Sequence, residues 1–120
     1  MLTETPLRTF EITVTLNPDG SLHFDPSPDV TAGRGDHVVW RSTVGDLVLY
    51  IQGAEEKLQL SRKSPFKKYL YADGRDNGNG EARINPQVKS DAALLDYKYA
   101  LILFDDNGEQ HEVDPRIVIR

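Results

Sequence analysis

The stretch Tyr97-Lys98-Tyr99-Ala100-Leu101-Ile102-Leu103-Phe104, followed by Asp105-Asp106-Asn107-Gly108-Glu109 and then by Gln110 to Arg120, decides the fold. Tyr97, Tyr99, Leu101 and Leu103 share one parity, and Lys98, Ala100, Ile102 and Phe104 share the other. A run that apolar on both parities predicts a strand covered on both faces for much of its length. Asn107-Gly108 tolerates positive φ at both positions, so the chain can reverse tightly there. Ile117-Val118-Ile119 is then expected to return beside the first arm, with Pro115 at its entrance, where no ladder N–H is needed.

Upstream, Phe10, Ile12, Val14 and Leu16 alternate with Glu11, Thr13 and Thr15, the pattern of a half-buried strand. Asn17-Pro18-Asp19-Gly20 is turn chemistry. Ser21 to Asp25 reads as a second short strand, with Leu22 and Phe24 inward and His23 outward. Asp25-Pro26-Ser27-Pro28 breaks the ladder. Val30 to Gly35 leads into the strand Asp36-His37-Val38-Val39-Trp40-Arg41, and Asp46 to Gln52 is another, with Leu47, Leu49 and Ile51 on one face. Ala54 to Leu60 has helix-favouring composition for a turn or two. Tyr69–Ala72 and Glu81–Ile84 read as short strands, and Asp91 to Asp96 as a short turn of helix. Seven or so strands with turns between them predict one all-β domain spanning residues 1–120, a Greek-key β-sandwich.

Composition narrows the function. The chain has 120 residues, 38% of them apolar and 28% charged, which is enough for one core and typical of a globular domain. A net charge of −5 disfavours general binding to nucleic acid or anionic membranes. With no cysteine, disulfides, zinc–thiolate sites and thiol nucleophiles are all excluded. The first residues carry no apolar signal segment and no run reaches membrane-spanning length, so the expected location is the cytoplasm.

Gly35-Asp36-His37-Val38-Val39-Trp40 resembles the G-D-x-V-x-W signature of the cupredoxins, and Tyr97-Lys98-Tyr99 is similar to that family's Y-x-Y strand. The resemblance implies a cupredoxin-like sandwich, with an immunoglobulin- or fibronectin-like sandwich as the alternative. It also implies where copper ligands belong, and here the chain departs. The stretch after Trp40, Ser42 to Tyr50, holds no histidine. After Tyr99 come Ala100, Leu101 and Ile102 rather than a cysteine and a histidine, and the only methionine is Met1. Blue-copper chemistry needs imidazoles and a thiolate. The expected cofactor complement is therefore none, and the expected metal ligands none.

Four local features compete as sites. His23, His37 and His111 lack any shared spacing and read as scattered surface residues. Asp73 to Glu81 has the look of a calcium loop, but its third position is Arg75 and its twelfth, Ile84, is not a carboxylate. Arg34-Gly35-Asp36 is already explained as the turn before Trp40. The basic stretch Arg62, Lys63, Phe66, Lys67 and Lys68, ending at Tyr69, is the most distinctive: four cations, no acid and interleaved aromatics. It serves equally as a patch for an acidic or phosphate-bearing partner and as core aromatics flanked by solvated lysines.

No nucleotide loop or nucleophile elbow is visible, and the expected function is non-catalytic: a protein-interaction or accessory module using loops or an edge strand. The alternative is a small-ligand or divalent-metal module, using the Asp73–Glu81 loop, the Asp105–Glu109 tip or a surface tyrosine for a sugar. Positive and negative stretches on one chain also permit weak self-association at low salt.

Overall fold

The computed structural model describes residues 7–51, 64–76 and 80–120. Among these residues ten strands form two sheets: β1 (Thr9–Leu16), β2 (Leu22–Asp25), β3 (Val30–Ala32), β4 (His37–Ser42), β5 (Asp46–Ile51), β6 (Leu70–Asp73), β7 (Ala82–Ile84), β8 (Asp96–Phe104), β9 (Gln110–Val113) and β10 (Arg116–Ile119). One sheet runs β2-β1-β4-β7; the other runs β3-β10-β8-β5-β6, with β9 also paired to β8. The result is an all-β sandwich, as the alternation of the sequence requires.

The closing hairpin is built as expected, with one addition. Its return arm is divided into β9 and β10 by Asp114-Pro115. Leu101 faces Val113 and Phe104 faces Gln110; Lys98 faces Arg116 and Asp96 faces Val118. The pairing thus passes the proline without a register slip. The Tyr99 N–H donates to the Pro115 carbonyl at 3.0 Å, and the proline, lacking an N–H, cannot return the bond. Along β8, Tyr99, Leu101 and Leu103 are fully buried, and Ala100 on the other parity is buried too. The strand is covered on both faces at its centre, where its sequence is apolar on both parities.

Two pairings are parallel and tie distant parts of the chain together. β1 lies beside β4, Phe10 opposite Val38 and Ile12 opposite Trp40. β10 lies beside β3, Ile117 opposite Val30. Between the sheets the core gathers Ile12, Val14, Val38, Trp40, Leu47, Leu49, Ile51, Phe66, Tyr99, Leu101, Leu103 and Ile117. Each such side chain contributes ~1.5–3 kcal/mol by leaving water.

Trp40 and Tyr99 meet at the centre of this core. Their ring centroids are 5.3 Å apart, and the Trp40 indole N–H donates to the Tyr99 hydroxyl at 3.3 Å. The Tyr99 hydroxyl in turn donates to the Pro28 carbonyl. Burial pushes the Tyr99 phenol well above its ordinary range, so it remains a neutral donor. The tryptophan of G-D-x-V-x-W and the second tyrosine of Y-x-Y are thus in direct contact.

Three expectations are corrected or fall elsewhere. Asp91 to Asp96 forms turns and the start of β8 rather than helix, because the Leu95 carbonyl is taken by the Ile119 N–H at 3.0 Å, which draws it into the sheet. The proposed helical turn at Ala54–Leu60 lies outside the described residues. The expected seven or so strands become ten among the described residues, chiefly because the Val30 and Gln110 segments each pair on their own.

Candidate functional site

The basic segment is held in place by the Ser64 and Tyr71 hydroxyls and by the Lys89 backbone. The Ser64 hydroxyl donates to the Lys68 carbonyl at 2.7 Å and accepts the Phe66 N–H at 3.1 Å. The Lys68 N–H donates to the Tyr71 hydroxyl at 3.0 Å, and the Lys89 N–H donates to the Pro65 carbonyl at 2.8 Å. This clamp turns Pro65 and Phe66 inward and leaves Lys67 and Lys68 exposed.

Phe66 is wholly buried. It stands edge-on to Trp40 at 6.1 Å and to Tyr71 at 6.3 Å, in pairings worth ~0.5–1.5 kcal/mol each beyond area. It is a core anchor and cannot touch a partner, which corrects its place among the binding candidates. Arg62 and Lys63 lie outside the described residues.

Lys67 and Lys68 border a cleft of about 580 Å³, with Tyr71, Lys89, Ser90 and Asp91 around it and Pro86 and Val88 supplying buried apolar surface. Among the described residues no carboxylate forms an ion pair with Lys67 or Lys68. Gly35 closes one side of the cleft. It has φ +87°, a left-handed conformation suited to glycine, and its carbonyl accepts from the Gln87 side-chain amide at 2.9 Å. The turn there is fixed by Asp36, which is buried and whose carboxylate accepts the Arg8 N–H at 2.9 Å and the Gly33 N–H at 2.8 Å. The Arg34 guanidinium donates to the Ala92 carbonyl at 2.8 Å. The R-G-D tripeptide is therefore a structural turn with its aspartate unavailable.

At the opposite end, charges are engaged internally. Arg75 pairs with Asp106, lies 3.7 Å from Asp46 and donates to the Thr43 carbonyl at 3.2 Å. Its hydrogen bond to Asp106 raises the guanidinium further above its ordinary value. Asp73, the first position of the calcium-like loop, accepts the Arg83 N–H at 2.7 Å. The cation of this loop is the protein's own arginine; residues 77–79 lie outside the described region.

At the β8–β9 tip, Asp105, Glu109 and His111 bring their polar atoms within 4.8 Å of one another. Both His111 nitrogens are occupied: Nδ1 bonds the Gly20 carbonyl at 2.8 Å and Nε2 bonds Asp105 at 2.9 Å. Asp105 also accepts the Asn107 N–H at 2.9 Å and the Glu109 N–H at 3.0 Å. Sequence reasoning left His111 as a scattered residue because its partners come from turns 91 and 6 positions away. His23 is exposed on β2 and His37 begins β4, so the three histidines do not converge.

The fold class is an all-β sandwich with a lysine-rimmed cleft at one end and an internally paired acidic end at the other. No protein-family model matches the chain, and no curated protein matches it as a relative. Among the described residues, no helix is long and apolar enough to cross a membrane.

Proposed function

We propose that this chain is a non-catalytic, cupredoxin-like Greek-key sandwich without copper chemistry, acting in the cytoplasm as a protein-interaction or accessory module. The partner is an acidic protein segment, and the contact is the cleft bordered by Lys67 and Lys68. One observation carries the reading: two exposed ammonium groups without an ion-pair partner among the described residues, on a rigidly clamped loop beside a cleft, in a chain of net charge −5. Cations left unpaired on an otherwise acidic protein are positioned for charge complementarity with something outside it.

The cupredoxin-like part rests on the contact between Trp40 and Tyr99. Where the resemblance assigns copper ligands, the chain has no histidine from Ser42 to Tyr50, and Tyr99 is followed by Ala100, Leu101 and Ile102, the first two buried.

The test is nuclear magnetic resonance mapping with an extended Asp/Glu-rich peptide, run beside a Lys67→Glu/Lys68→Glu variant. Shifts confined to Lys67, Lys68, Gln87 and Ser90, weakened by salt and absent in the variant, are expected. Scattered shifts, or equal binding by the variant, would overturn the assignment. Stabilisation by a small sugar or divalent ion instead of the peptide would move it to a ligand-binding module.

A further inference from the structure

His111 lies between two groups that only accept hydrogen bonds. One is the Gly20 carbonyl at the β1–β2 tip; the other is the Asp105 carboxylate at the β8–β9 tip. A neutral imidazole carries one N–H and can donate to only one of them. Its other nitrogen would then point a lone pair at an oxygen. The alternative, a protonated Asp105 donating to the ring, is opposed by the two backbone N–H groups already bonded to that carboxylate.

We propose that His111 is a proton-operated latch, an imidazolium that joins the β1–β2 tip to the β8–β9 tip and releases the β1–β2 tip when it loses its proton. Asp105 decides which bond survives. Its charge holds the remaining proton on Nε2, so the bond to Gly20 is the one lost. A Cβ placed on Gly20 would lie 3.9 Å from the imidazole Cε1, so the tip rests directly on the ring.

The charged groups around the ring support the protonated form. Asp105 and Glu109 face it from the β8–β9 turn, and Glu112 lines the same groove from β9. From the β1–β2 side come Gly20, Ser21 and Leu22; the nearby Asp19 carboxylate is turned onto the Ser21 N–H and hydroxyl. Among the described residues no arginine or lysine pairs into this group. The hydrogen bond to Asp105 raises the His111 pKa above its ordinary value, with the Gly20 carbonyl adding to the effect.

The deciding experiment is a side-chain nitrogen titration of the full chain from about pH 5 to about pH 9, with backbone amides followed together. Expected are both ring nitrogens protonated at about pH 6, a midpoint above the ordinary histidine value, and Gly20 and Ser21 amides shifting at that same midpoint. A neutral ring at about pH 6, or a midpoint at or below the ordinary value, overturns the latch. So do Gly20 amides that ignore the titration. Asp105→Asn should lower the midpoint while leaving the ring in place. His111→Gln should abolish the coincident Gly20 shift; if that variant does not fold, the titration of the native chain still decides.

Discussion

Two loops at opposite ends of this sandwich, the β8–β9 tip and the Lys67–Lys68 loop, treat charge in opposite ways. At the acidic end Arg75 bridges Asp46 and Asp106, and His111 joins Asp105 to Gly20, so charged groups are used to hold loops to one another. At the basic end the loop is held by uncharged groups, the Ser64 and Tyr71 hydroxyls and the Pro65 carbonyl, and Lys67 and Lys68 are left over. A charge that the fold does not use is free for a partner; one that is already paired must break an internal contact first.

The contrast breaks most sharply at Phe66. Phe66→Ala should cost ~3–5 kcal/mol in chemical denaturation, because the ring is wholly buried against Trp40 and Tyr71 and its removal undercuts the lysine loop. A loss of well under ~1 kcal/mol would mean the loop is supported some other way. Gly45→Ala attacks the other end. Its Cβ would meet Leu103 Cδ2 at 2.5 Å and the Phe104 carbonyl at 2.7 Å, and the backbone atom cannot swing aside. A cost of ~1–3 kcal/mol is expected, with the Asp105 and His111 resonances moving.

A smaller effect is expected from pH. Asp105 is lowered, first by its hydrogen bond from His111, so its stabilisation is complete above its ordinary value of 3.8 and is lost as pH falls through the folded value. His111 is raised, so its contribution is complete below its ordinary value of 6.5 and is lost as pH rises through the folded one. Thermal melts should therefore show this pair's contribution greatest between those ordinary values, with the alkaline slope reduced in His111→Gln. An unchanged slope would remove the pair from the acidic end's cohesion. The smallest stability effect belongs to Lys67→Glu/Lys68→Glu, expected to stay within ~0.5 kcal/mol while peptide binding is lost. A large destabilisation there would show that the lysines serve the fold after all.

Much of the architecture was legible because it follows from period and turn chemistry. The alternation from Phe10 to Leu16, the Asn107-Gly108 reversal and the paired parities of Tyr97 to Phe104 each dictate a local conformation that the sheets then use. The contact of Trp40 with Tyr99 was not legible, since neither motif records that residues 59 positions apart will meet in the core. What sequence could not convey was partnership across distance. The Phe66 ring and its neighbouring lysines are indistinguishable in composition from a binding patch until Ser64 fixes which way each points. His111 looked unremarkable because nothing local records that the Gly20 carbonyl will lie beside it. The Gln110–Val113 strand was hidden because its two half-buried positions are His111 and Val113, which leaves a single apolar residue and no apolar alternation.

The parallel pairing of β10 with β3 has a consequence for how the chain is made. Among the described residues β3 pairs only with β10 within its sheet, and the bond from the Arg116 N–H to Asp29 spans 87 positions. During synthesis Val30-Thr31-Ala32 must wait, unpaired, until Ile117-Val118-Ile119 has left the ribosome. Closure over so long a stretch is slow, and an exposed strand edge is prone to wrong pairings in the meantime. A nascent chain halted before Ile117 should accordingly be more sensitive to protease around Val30, and hold more readily to a chaperone, than the released protein.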